Sequence, residues 1–167
     1  KNLKTILLSI IILIGIFFRF YNYNLQDFWW DELMEFTTAS PNLTMGETYQ
    51  RAHSLTMGTH LEYDFATNAN LYFYIFKIFF GLFSYTPGTA RLIVAFFGTF
   101  AFILSIYIYY KYIGKNLLVF SIIIASNYYL IIQSQEFKYN IFFCLISLIS
   151  ILFFFLFIKN IDSNKKN

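Results

Sequence analysis

Four stretches of this chain, residues 3–20, 87–110, 117–132 and 141–158, are apolar over roughly the length of a bilayer-crossing helix. A spanning helix needs about 20 residues, because in hydrocarbon every backbone amide and carbonyl must be satisfied within the segment. The third run is short and has to borrow its flanks, giving 113–133. Charged residues make up only 13% of the 167, far below the about 25% of a soluble domain. The expected fold is an all-α membrane protein of about four transmembrane helices, with short interfacial helices in a large first outer loop, 21–86. Residues 1–167 then form a single membrane region.

A fifth apolar run, 71–83, has Lys77 at its centre. At 1.5 Å per residue it covers about 20 Å of a roughly 30 Å core, so it is expected to lie in the interface or re-enter it. Charge placement agrees. If this run does not cross, Lys1, Lys4, Lys111, Lys115, Lys159, Lys165 and Lys166 share one side of the membrane, and every acid except Asp162 lies on the other. The positive-inside rule makes the lysine side cytoplasmic, with the N-terminus inside and the first loop extracytoplasmic, in a plasma or inner membrane. Lys1 and Lys4 before an apolar run imitate a secretory signal, but no small-residue cleavage site follows, so an uncleaved first span is expected, with Arg19 snorkelling to the outer interface. The chain opens on Lys and stops soon after a span, and is expected to be part of something longer.

The outer loop carries the polar chemistry. Phe28-Trp29-Trp30-Asp31-Glu32 sets two adjacent carboxylates beneath a tryptophan pair, and indoles favour the bilayer–water boundary. Ionisable groups held at that depth are costly unless used, although acids also suit a helix N-terminus. Thr44-Met45-Gly46-Glu47 reads as a capping box opening a short helix through about His53. His53, His60, Glu62 and Asp64 are able to ligate a divalent ion but lack the fixed spacing of a metal site. The dispersed basic residues argue against nucleic acid as a partner. Cys144 has no second cysteine to pair with.

These residues, in order, resemble a family. An aromatic-flanked Asp31-Glu32 is followed by an interfacial Leu71-Tyr72-Phe73-Tyr74 helix, then Gly81-Leu82-Phe83-Ser84, Arg91, and Ser134-Gln135-Glu136-Phe137-Lys138-Tyr139. The order is similar to the N-terminal part of the GT-C membrane glycosyltransferases, in the branch of the dolichyl-phosphate-mannose-protein mannosyltransferases and lipid A aminoarabinose transferases. The resemblance implies a polyprenyl-phosphate-linked sugar as donor and a lipid, glycan or protein acceptor on the extracytoplasmic face. It implies Asp31 as catalytic base, taking the acceptor's proton in an inverting transfer. Glu32 is its neighbour, orienting a partner or raising its pKa. Arg91, Lys138 and Lys77 become candidates for the donor phosphate, whose developing charge calls for fixed cations. Glu136 is expected to orient such a cation or an ion, and Tyr72 and Tyr139 to support the site with aromatic faces. No cofactor is specified, and a divalent metal ion stays open.

The chain departs from the family where Asn68-Ala69-Asn70 replaces a proline-bearing stretch, and where Lys138 replaces a common Arg. A noncatalytic membrane subunit, or a module binding lipid-linked glycans on the same scaffold, is therefore the alternative. A small transporter is less consistent, since the spans carry no ionisable residue in their middles.

Overall fold

The computed structural model describes residues 2–24, 27–53, 55–56, 62–63 and 70–164. Helix α1 (Asn2–Phe20) is followed by α2 (Trp30–Thr38) and α3 (Met45–His53), then a two-residue antiparallel pairing of β1 (Leu55–Thr56) with β2 (Glu62–Tyr63). After them come α4 (Asn70–Leu82), α5 (Pro87–Ile108) running into a π-helical turn at Tyr109–Ile113, α6 (Leu117–Ala125), α7 (Tyr128–Gln133) and α8 (Tyr139–Asn164). Among the described residues, three helices are long and apolar enough to cross a membrane: Leu3–Phe20, Pro87–Ile113 and Tyr139–Lys159. Helix α5 is the central one, packed against both α8 and α1. Its start follows from Thr86-Pro87: the Thr86 hydroxyl accepts the Thr89 amide at 3.2 Å, and proline at the first helical position has no amide to lose.

The stretch expected to span as one helix over 113–133 is instead two. The residues at the break explain it. The Ser126 hydroxyl bonds back to the Ile122 carbonyl at 2.8 Å, and the Asn127 side chain accepts the Leu130 amide at 3.0 Å, ending α6 and capping α7. Short polar side chains that compete for backbone groups stop a helix even inside an apolar run. A Cβ on Gly15 of α1 would lie 3.2 Å from Ala125, whereas the Gln135 side chain donates to the carbonyls of Phe18 and Tyr21 at 2.6 and 2.9 Å. The chain thus advances from residue 125 to 135 while α1 beside it advances only from 15 to between 18 and 21. The break takes up part of the chain's length, and α7 packs beside the end of α1.

Arg19 does not snorkel outward. It is 1% exposed, donates to the Gly15 carbonyl at 2.7 Å, and lies 4.3 Å from the Phe102 ring centre. A helical side chain leans toward its own N-terminus, which turns Arg19 back into the bundle. The apolar run 71–83 is helical as α4, shorter than a membrane-crossing length, and the capping box is formed: Thr44 donates its amide to Glu47 at 2.7 Å, and Glu47 donates its own to the Thr44 hydroxyl at 3.2 Å.

The core lies where α2 and α4 meet the first turns of α5 and α8. Phe36 stacks on Tyr85 with ring centres 4.1 Å apart, and Phe76 meets Phe137 edge-on at 4.8 Å. Phe137, from the link between α7 and α8, is fully buried among them and pins that link to α2 and α4. A second close approach holds the link from behind: a Cβ on Gly98 would collide with the buried Ser134 side chain and come within 3.2 Å of its Cα. Gly98→Ala is therefore expected to destabilise by about 1–3 kcal/mol. Gly81→Ala, whose Cβ meets nothing within 4 Å, is expected to leave thermal melting in detergent within a degree or two or raise it slightly.

Candidate active site

The two carboxylates of Asp31-Glu32 point different ways, because consecutive helical residues are about 100° apart around the axis. Glu32 is fully buried. It accepts from Arg91 through both oxygens, Nη2 to Oε2 at 2.7 Å and Nε to Oε1 at 3.1 Å, and also from the Phe137 amide at 2.6 Å and the Trp29 amide at 3.1 Å. Arg91 in turn donates to the Asp27 carbonyl at 3.0 Å and lies over the Phe28 ring at 4.9 Å. A buried two-pronged Arg–carboxylate pair with every acceptor position used is a strut. It joins the start of α2, the first turns of α5 and the α7–α8 link.

Asp31 faces the other way, its side chain 49% exposed. Its Oδ2 lies 2.8 Å from Lys138 Nζ, and Lys138 also pairs with Glu136 at 3.1 Å. The same short link thus sends Phe137 inward beneath Glu32 and Lys138 outward to Asp31. Partial burial raises the Asp31 carboxyl, but the hydrogen bond and charge of Lys138, with the Glu32 amide, outweigh it and hold the group below its usual range. For Lys138, burial works against the charge, but Asp31 and Glu136 prevail and push it above its usual value. Both groups are charged at neutral pH. Glu136, the second partner of Lys138, lines a cleft of about 440 Å³ together with Asn22, Tyr23, Trp29, Arg91, Tyr128 and Gln135; Asp31 and Lys138 are not among its lining residues.

The other expected residues fall in three places. Lys77 is directed at the carbonyls of Ser40 (2.9 Å), Pro41 (3.4 Å) and Leu43, where it ties α4 to the end of α2. Tyr72 is fully buried in the aromatic core, and Tyr139 packs edge-on against Phe143 at 5.7 Å. The side chains of His53, His60, Glu62 and Asp64 lie outside the described residues, as does most of the departure at 68–70. Among the described residues no group of three His, Cys, Asp or Glu is arranged to hold a metal.

Sequence reasoning passed over Glu35. One turn beyond Asp31, its Oε2 is shut off from solvent with no hydrogen-bond partner among the described residues, and the same holds for the Tyr72 hydroxyl. Burial pushes the carboxyl up to about 8; Tyr72 and Lys138 act against the rise, while Asp31 and Glu32 add to it. The i+4 spacing from Asp31 and the apolar neighbour Phe36 were the available signal. Glu35 is then protonated in the fold at pH 7 but ionised in the unfolded chain. Stability therefore falls as pH rises from about 4.5 to 8 and levels off above that, where both states are ionised. Glu35→Gln removes this loss. Its melting temperature is expected to match wild type near pH 4.5 and exceed it at pH 7, by the equivalent of about 3 kcal/mol.

No protein-family model, no curated protein and no solved structure matches this chain.

Proposed function

We propose that this chain is the N-terminal membrane part of an inverting GT-C-type glycosyltransferase that moves a sugar from a polyprenyl-phosphate donor to an acceptor on the extracytoplasmic face. The observation that carries the reading is the division between the two acids. Glu32 is locked to Arg91, which leaves Asp31 as an ionised, solvent-facing carboxylate on a rigid base, paired with Lys138, whose other partner Glu136 lines a cleft. A carboxylate so held can take the proton of an acceptor hydroxyl while that oxygen bonds to the anomeric carbon. The bond from that carbon to the phosphate oxygen breaks, its electron pair leaves with the polyprenyl phosphate, and Lys138 neutralises the charge that develops. Donor binding draws Lys138 from Asp31 to the phosphate, so the base is freed when the donor is seated.

Membrane topology belongs to the same reading. Helices α6 and α7 together make a fourth, broken crossing, which leaves α4 at the outer interface, the N-terminus in the cytoplasm and Asp31 outside. The resemblance assigned Arg91 and Lys77 to the donor phosphate as well. Arg91 is engaged with Glu32 and Lys77 with loop carbonyls, so Lys138 is the cation on which the proposal rests.

The test is transfer from a radiolabelled polyprenyl-phosphate sugar by membranes carrying the complete protein. Lys138→Ala is expected to lose about 10- to 100-fold in transfer at limiting donor, the worth of one charged hydrogen bond to phosphate. Lys138→Arg, which keeps the charge and gains a second prong, is expected to stay within a few-fold of wild type. Equal transfer by both variants and wild type would remove Lys138 from the donor site.

A further inference from the structure

At the end of the bundle opposite Asp31, a cavity of about 610 Å³ opens between the first turns of α1, the end of α5 and the start of α6. Lys4 and Lys115 stand on its rim with Thr5, Tyr110 and Asn116, and its wall is apolar at Leu8, Leu117 and Leu118. Both lysines are exposed, and neither has an ion-pair or hydrogen-bond partner among the described residues. Two like charges converging on one recess repel each other, so the recess suits an anion that neutralises both. No acid lines it.

We propose that this cavity binds the phosphodiester headgroup of an anionic glycerophospholipid. Lys4 and Lys115 flank the phosphate, and Tyr110 lines the same recess. The cavity's own wall argues for a lipid as the source of the phosphate. Leu8, Leu117, Leu118 and Val119 make it apolar, Val119 is 56% exposed, and Leu8 belongs to the membrane-length apolar helix Leu3–Phe20, so acyl chains can lie against the same recess. An anion bound to this recess as part of a lipid gains that apolar contact as well as the charge; free phosphate gains only the charge. The proposal does not depend on the glycosyltransferase reading, since it uses neither Asp31 nor the outer cleft.

The test is native mass spectrometry of the purified full chain, released from detergent after titration with phosphatidylglycerol, phosphatidylcholine or inorganic phosphate. Wild type is expected to retain one phosphatidylglycerol more firmly than the rest, and Lys4→Gln/Lys115→Gln to lose that adduct by about tenfold or more, the order expected for two lysines at a lipid phosphate. Lys111→Gln/Lys159→Gln removes two lysines outside the cavity and is expected to keep it. Both lysines of the cavity are exposed, so the variant should melt as wild type does. An equal loss in the two double variants would mean diffuse attraction to a basic surface and overturn the site. Retention of phosphatidylcholine as firmly, or protection by inorganic phosphate alone, would overturn the anionic lipid as its occupant.

Discussion

Arg91→Ala is expected to melt far below wild type in detergent, losing about 3–5 kcal/mol, because it leaves the Glu32 charge buried with no cation to answer it. The carboxylate would keep only the Trp29 and Phe137 amides. Those bonds do not offset the removal of a full charge from solvent. Arg91→Lys is expected to recover part of the loss, since an ammonium supplies charge but not the two parallel prongs. Replacing both partners, as in Glu32→Met/Arg91→Met, is expected to cost less than either single truncation, because no uncompensated charge remains. Three segments distant in sequence meet at this pair, so its loss should also free the α7–α8 link. Faster proteolysis between Ser134 and Tyr139 is the accompanying sign. If Arg91→Ala melts within a degree or two of wild type, the pair is not a strut.

The second large effect is on chemistry. Asp31→Asn is expected to reduce sugar transfer by about 10²–10⁴-fold, the usual worth of a positioned general base. Asparagine keeps the size and part of the hydrogen bonding but cannot accept a proton at neutral pH. Because Asp31 is half exposed and its partner Lys138 keeps Glu136, insertion and melting should change little. A surface ion pair of this kind contributes only about 0–1 kcal/mol.

Much of the architecture was legible in the sequence because apolar run length and capping chemistry are local. The first, second and last membrane-length helices, the shorter apolar helix α4 and the capping box at Thr44 and Glu47 follow from such signals. The broken third run was legible in principle, since Ser126-Asn127 is a polar pair that ends helices, but apolar content on either side masked it. Arg19 was misjudged because snorkelling assumes water or headgroups at the end of the side chain, whereas Phe102 and the Gly15 carbonyl supply a nearer partner. At the candidate site the acids and cations stood out as residue types. Their pairing did not, because Glu32 with Arg91 and Asp31 with Lys138 are joined only by tertiary packing. A pattern that shows two adjacent acids cannot say which of them faces inward. Glu35 was missed for the same reason: its burial depends on Tyr72 of α4 and on the aromatic core behind it.

In the proposed transferase the adjacent acids divide the work, Asp31 performing the chemistry and Glu32 holding the fold. Melting and sugar transfer measured together for Asp31→Asn and Glu32→Gln in the complete protein, with transfer expressed per folded molecule, separate the two roles. Asp31→Asn is expected to melt as wild type does yet transfer almost nothing, while Glu32→Gln melts much lower and transfers normally in whatever fraction stays folded. Near wild-type transfer by Asp31→Asn, or unchanged melting of Glu32→Gln, would contradict that division.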